Sequence, residues 1–242
     1  MTCDDLLGGR LRLRQPDDGP RVNMDTVLLA SWVRRVRGGC YVELGSAAGA
    51  VSLMLAMRLP VRLLGLEIRE ELVALARLNA EENGLSDRVS FVCADVRNVR
   101  ECFAAGVFDG LAVNPPYGKV GRWRASASGA RTIARRDDLC SLSDVTAAAS
   151  WLLRDGGRFF AVYRADGAAE FLSGMRAARV EPKRMRFVHP RPGAGAILLL
   201  AEGRKGGGEG VEVEPPMFVR DAAGNHTPDL LAAYDAIRRP SA

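Results

Sequence analysis

The strongest constraint on this chain is an alternation of short, almost wholly apolar runs with longer amphipathic ones between residues 40 and 178. The runs at 40–44, 61–68, 89–93, 108–113 and 158–163 read as strands. Those at 50–58, 70–83, 138–153 and 167–178 carry apolar residues at helical spacing and read as helices, the second closed by the Asn83-Gly84 stop signal. Strands that are apolar on both faces belong in a sheet covered on both sides, and helices between successive strands make that sheet mostly parallel. The expected fold class is therefore α/β, Rossmann-like, with right-handed crossovers and helices on both faces. Segments 185–189 and 196–202 read as a closing strand pair. In such folds ligands bind beyond the carboxyl ends of the strands, near the point where strand order reverses. Chemistry is expected just after Leu44, Ile68, Cys93 and Val113.

The 242 residues suit a single domain. Residues 1–38 are expected as a helical or hairpin extension and 203–242 as a C-terminal tail packed on the domain. Within that tail, Gly203 to Gly210 holds five glycines and reads as a flexible loop. No apolar run approaches the ~20 residues of a membrane span, and the first residues hold no apolar signal segment, so a cytoplasmic protein without a membrane partner is expected. Histidine occurs only at 189 and 226, which speaks against a zinc site or a Ser-His-Asp hydrolase, and no metal is expected. The five cysteines have no metal-ligand spacing. Cys40 and Cys93 lie in apolar runs, and buried, reduced thiols are expected. The net charge of +5 suits a polyanionic partner but does not demand one.

The first strand runs into Glu43-Leu44-Gly45-Ser46-Ala47-Ala48-Gly49, where small residues let the backbone approach a ligand closely and open a helix towards it. A dinucleotide fingerprint needs glycine where Ala47 and Ala50 stand, so a nicotinamide cofactor is disfavoured. Glu67, closing the second strand, can accept both hydroxyls of a ribose. Asp95, in Ala94-Asp95-Val96, can accept from an adenine amino group. Each acid alone is an ordinary strand-end carboxylate, whereas the succession of features at neighbouring strand ends is harder to dismiss. The most specific signal is Asn114-Pro115-Pro116-Tyr117 after the fourth strand. Two prolines stiffen the turn, the Asn114 side chain and the Pro115 carbonyl can together accept both hydrogens of an amino group, and Tyr117 can stack on a planar base.

With those residues in place the chain resembles the class I S-adenosylmethionine-dependent methyltransferases, whose sheet is seven-stranded and mostly parallel. Glu43, Gly45, Ser46, Ala47 and Gly49 resemble their cofactor loop, Glu67 and Ile68 their ribose-binding strand end, and Asp95 and Val96 their adenine-contacting segment. Asn114 to Tyr117 resembles the motif of enzymes that methylate amino groups conjugated to a π-system. The resemblance implies Asn114, Pro115, Pro116 and Tyr117 as catalytic residues and S-adenosyl-L-methionine as cofactor, with Asn114 also beside it. The stretch from Arg21 to Ala30 is similar to the N-terminal helix signature of bacterial tRNA (adenine-N6) methyltransferases, which modify the adenine beside the anticodon of a valine tRNA. That likeness places Asn23, Asp25 and Thr26 near the cofactor's methionine end and implies tRNA as partner. The family's cofactor loop usually has glycine where Ala47 stands. If the position needs a positive φ, the methyl group costs about 1 kcal/mol or more.

Lys119, Arg122, Trp123, Arg124, Arg131, Arg135 and Arg136 follow the catalytic motif with no acid among residues 118–136, a composition suited to an RNA backbone and a stacked base. Lys183, Arg184, Arg186 and Arg191 form a second basic group of unknown facing. Competing expectations are glutamine methylation in a release factor, amino-group methylation of DNA or ribosomal RNA, and a non-catalytic RNA-binding protein on a degenerate methyltransferase fold. Only about 40 residues precede the first strand, little room for the helical N-terminal domain of the release-factor enzymes.

Overall fold

The structure, a computed structural model, describes residues 2–115 and 140–238. A hairpin of β1 (Thr2–Leu6) and β2 (Leu11–Gln15) leads into α1 (Met24–Trp32). The alternation then unfolds as β3 (Cys40–Leu44), α2 (Ala50–Arg58), β4 (Arg62–Glu67), α3 (Glu70–Glu82), β5 (Val89–Cys93), the short α4 (Val99–Cys102) and β6 (Phe108–Val113). After the segment that is not described come α5 (Leu142–Leu152), β7 (Leu153–Arg164), α6 (Ala168–Ala177), β8 (Val180–His189) and β9 (Leu198–Lys205). Two short strands, β10 (Glu212–Val213) and β11 (Met217–Phe218), and α7 (Pro228–Arg238) complete the chain.

The principal sheet runs β8-β9-β7-β6-β3-β4-β5, with only β9 antiparallel to its neighbours. The order reverses between β3 and β6. Alternate residues of each central strand feed opposite cores, as a period of two requires. Ala112, Phe160 and Val162 face a core built with α1, α2, α3, α7 and the hairpin. Leu111, Val113, Phe159 and Ala161 face the other, with α4, α5 and α6.

Four local expectations change. The seven expected strands are joined by β10 and β11, which pair in parallel with the open edge of β8 and cover its free backbone groups; Pro215-Pro216 between them cannot continue a strand. Asp155-Gly156-Gly157, between the helix expected at 138–153 and the strand expected at 158–163, lies inside β7, where the register shifts from Phe108↔Leu153 to Gly110↔Arg158 and Gly156 has a φ of 77°. It is a bulge that lengthens β7 back to the end of α5. Gly203, expected in a flexible loop, is a strand residue, because a Cβ there would lie 2.6 Å from Met175 Cε and 2.7 Å from Val180 Cγ1. The cysteines are not buried: Cys3, Cys40, Cys93 and Cys102 are exposed and Cys140 intermediate, all free. Cys40 opens β3 and Cys93 closes β5.

Gly65 is the position on which the site leans most. A Cβ there would lie 2.4 Å from Phe91 Cδ1 and 2.8 Å from Ser46 Cβ, in the loop that follows β3. Gly65→Ala should destabilise the protein by ~1–3 kcal/mol in urea unfolding; an unchanged midpoint would show that the packing has slack.

Candidate functional site

The ends of β5, β4, β3 and β6 lie side by side, so the chemistry-bearing residues after each meet at one pole of the sheet. At the centre is the loop 45–49. Gly45, Ala47 and Gly49 have φ values of 71°, 47° and 87°. Their left-handed conformations fold the chain back from strand to helix within five residues. Gly45 N and Ser46 N both donate to Leu66 O, at 2.8 and 2.9 Å, Ala47 N donates to Glu67 Oε2 at 2.9 Å, and Gly49 N donates to Ser46 O at 2.8 Å. Ala47 is thus a residue with a side chain in the left-handed region, the costlier of the two cases the sequence left open.

Glu67 is 5% exposed. Besides Ala47 N, it accepts from Arg69 N and Nε, each at 3.1 Å to Oε1. Ile68 follows it, exposed, and its carbonyl accepts from Cys93 Sγ at the end of β5. Asp95 is held by its neighbour: Arg97 N and Nε donate to Oδ1 at 2.8 and 3.0 Å, and Nε and Nη2 to Oδ2 at 2.9 and 2.6 Å. This fork holds the Asp95 carboxyl below the usual carboxylate range. Val96 is half-buried and starts the turn that follows. Asn114 and buried Pro115 directly succeed β6, whose Val113 pairs with Leu44. They stand next to Gly45 across the switch point.

Glu43 has a different place from the one expected. It is 3% exposed, and its Oε2 accepts from Ser52 N at 2.9 Å and Ser52 Oγ at 2.5 Å, in the first turn of α2. Burial pushes its carboxyl up to about 8, against those hydrogen bonds, with the nearby Glu67 charge adding to the rise. Its shown role is to anchor α2 to β3. Asn23 and Thr26 are likewise engaged with each other. Asn23 Oδ1 accepts from Thr26 N and Oγ1, each at 3.1 Å, and Asn23 N donates to Thr26 Oγ1 at 3.3 Å, a capping box that starts α1 with Asp25 in its first turn. Pro116, Tyr117 and the whole basic set Lys119, Arg122, Trp123, Arg124, Arg131, Arg135 and Arg136 lie outside the described residues.

The second basic group mostly turns inward. Lys183 Nζ donates to the carbonyls of residues 208–210. Arg184 lies 3.6 Å over the Trp32 ring and pairs with Glu202 and Glu214, each at 3.0 Å. Arg186 ties Pro215 O and Asp229. Glu202, fully buried, also receives Arg34 at 2.6 Å and Arg158 at 3.1 Å. These cations fasten the β8–β9 edge and the tail. Only Arg191 is exposed.

Two observations fit a nucleoside-bearing cofactor at this pole. Ser46 Oγ is buried and has no hydrogen-bond partner among the described residues. A Cβ on Gly45 would meet nothing within 4 Å, so the loop backbone borders open space. The Glu67 carboxylate lies beside them, held by Ala47 N and Arg69. Among the described residues, no group of three or more His, Cys, Asp or Glu could hold a metal ion. The sequence reading missed Arg97, Arg69 and Asn79, whose amide reaches Ala48 O at 2.9 Å. For Asn79 the signal was present: a polar residue on the apolar face of α3.

Comparison with known proteins finds methyltransferases. The family model of the RMKL-like methyltransferase domain matches residues 40–132. Over 174 residues, 72% of this chain and 72% of the relative, the sequence is 27% identical to a tRNA1(Val) (adenine(37)-N6)-methyltransferase of Phocaeicola vulgatus. It is 32% identical over 151 residues, 59% of this chain and 51% of the relative, to a release factor glutamine methyltransferase of Chlorobaculum tepidum. Among solved structures, a predicted O-methyltransferase from Agrobacterium tumefaciens superposes with a TM-score of 0.73 at 24% identity, covering 90% of this chain and 98% of that one.

Two outcomes follow from the buried carboxylate and the strained alanine. Unfolded, Glu43 titrates near ~4.3; folded, it titrates at about 8. The folded state therefore holds the proton more tightly, and stability falls as pH rises between those values and levels off above them. Glu43→Gln, which keeps an acceptor for Ser52, should gain on the wild type steadily from pH 5 to pH 8 in urea titrations; a constant difference would mean that Glu43 is ionised throughout. Ala47→Gly should stabilise by on the order of 1 kcal/mol in the same assay, since glycine carries no left-handed penalty.

Proposed function

We propose that this chain, whose fold is that of the class I S-adenosylmethionine-dependent methyltransferases, methylates the exocyclic N6 of an adenine in tRNA, at position 37 beside the anticodon. The observation that carries the reading is the meeting of three neighbouring strand ends: the pinned loop 45–49, the Glu67 carboxylate and Asn114-Pro115. When bound, S-adenosylmethionine supplies an electrophilic methyl group. Glu67 would hold its ribose hydroxyls, Asp95 would accept from its adenine amino group, and the loop backbone would lie against its methionine portion.

An adenine amino nitrogen is a poor nucleophile because its lone pair is delocalised into the ring. The Asn114 side-chain oxygen and the Pro115 carbonyl accept its two hydrogens and draw the nitrogen from planar towards tetrahedral. The lone pair then localises in the direction of attack. Holding the base in line provides much of the remaining acceleration. The proton leaves after transfer, so no catalytic histidine is needed; His189 Nδ1 is instead engaged with Ala194 O at 2.8 Å. Tyr117 and the arginine-rich run that follows it in sequence, both outside the described residues, have the composition to stack on a base and neutralise phosphates. An anticodon-loop base is unstacked at lower cost than a paired one. A tRNA substrate would place the enzyme in the cytoplasm. No helix among the described residues is long and apolar enough to cross a membrane.

A second reading, methylation of a glutamine amide in a release factor, is favoured by the Chlorobaculum tepidum relative. A primary amide also offers two hydrogens on a conjugated nitrogen, so Asn114-Pro115 serves either substrate. Incubation with labelled S-adenosylmethionine and unmodified tRNA, followed by nucleoside mass spectrometry, should give N6-methyladenosine. Label in release factor and none in tRNA would establish the second reading. Asn114→Ala should lower turnover on tRNA by about 10²–10³-fold with cofactor affinity nearly intact, and equal losses of both would make Asn114 structural.

A further inference from the structure

The N-terminal hairpin is fastened to α3 by an unusual pairing. The amide of Asn79 accepts from Arg14 N at 2.8 Å and donates to Arg14 O at 3.0 Å. The amide of Asn83 accepts from Arg12 N at 3.0 Å and donates to Arg12 O at 2.7 Å. Each side-chain amide thus pairs with one residue of β2 as a neighbouring strand would. The match is geometric. Residues four apart on a helix rise by ~6 Å, and residues two apart on a strand by ~6.7 Å. The opposite edge of β2 is taken by β1, so α3 saturates the edge that would otherwise be open. Glu82 adds an ion pair to Arg14 at 2.7 Å, and Leu11 and Leu13 bury the hairpin's apolar face.

Asn79 differs from Asn83 in one respect. It is fully buried, and its second amide hydrogen goes to Ala48 O at 2.9 Å, inside the loop 45–49. That loop is otherwise pinned from β4, through Leu66 O and Glu67. Asn79 is the pin from the other side. A residue with a side chain persists at a positive φ only when its surroundings over-determine it, and Ala47 sits between the two pins. One buried amide therefore serves both the hairpin and the loop.

We infer that Asn79 is a positioning residue that couples docking of the β1–β2 hairpin to the conformation of the loop 45–49, and so sets the affinity for the methyl donor. This rests on the reading of that loop as the cofactor loop. Loosening the hairpin frees the Asn79 amide to turn away from Ala48, and the strained loop then relaxes. The effect belongs to cofactor binding, because the Asn79 side-chain hydrogen bonds go to Arg14 and to Ala48 of the loop.

The test compares Asn79→Ala and the volume-preserving Asn79→Asp, which loses both donors, with Asn83→Ala, which removes a rung of the pairing away from Ala48. Hydrogen exchange over residues 45–49 is measured without ligand, and the KM for S-adenosylmethionine and kcat are measured on tRNA. Both Asn79 variants should exchange the loop amides about tenfold faster and raise KM about tenfold, with kcat changed less than twofold. Asn83→Ala should speed exchange mainly in β2. Loop exchange in the Asn79 variants no faster than in Asn83→Ala overturns the coupling, whatever ligand the protein takes. Fast loop exchange in the Asn79 variants, combined with a wild-type protein that binds no S-adenosylmethionine, would overturn the cofactor reading and the claim on affinity together, leaving Asn79 as a clamp of the loop alone.

Discussion

Leu66 O accepts two successive amides from the end of β3, and the next residue's carboxylate accepts the third. The rest of the site depends on this fastening of one strand's exit onto its neighbour. It forces left-handed backbone at Gly45, Ala47 and Gly49, aims the first turn of α2 at the switch point and fixes Glu67 against the loop. Gly65 is needed one residue below because Phe91 and Ser46 close over it. Ala47 retains its strained φ because hydrogen bonds on either side leave no other conformation that keeps them all.

Charge in this chain is used in two ways. Acids at the strand ends accept from the loop and from adjacent arginines, which orients them, and the Arg97 fork favours the ionised form of Asp95. At the other side of the sheet, one fully buried carboxylate, Glu202, collects Arg34, Arg158 and Arg184. Burying a carboxylate without such partners costs several kcal/mol, so this cluster reads as internal fastening of the β8–β9 edge. Clustering of arginine in sequence therefore does not by itself mark a polyanion surface.

The apolar strands from Cys40 to Val113 were legible because a two-sided sheet core leaves no polar alternation to confuse the pattern. The strand-end positions of Glu67, Asp95 and Asn114 followed from the same boundaries. Features set by tertiary contact were not legible. The bulge at Gly156 and the strand state of Gly203 depend on what packs there, and glycine alone reads as a loop. Glu43 stands in the loop motif, yet its carboxylate turns to α2. The exposure of Cys40 and Cys93 reflects their places at strand ends, which composition does not report. Asn79 was visible as a polar residue on an apolar face, but its partners are 31 and 65 residues away in sequence.

The proposed function requires the pole formed by the loop 45–49, Glu67 and Asn114 to hold S-adenosylmethionine against an amino nitrogen. A crystal structure of the protein grown with S-adenosylhomocysteine tests it most directly. It should show one ligand per chain with its ribose on Glu67, its adenine beside Asp95 and its sulfur turned towards Asn114. Ligand density elsewhere on the chain, or a loop 45–49 that excludes the ligand from this crevice, would contradict it.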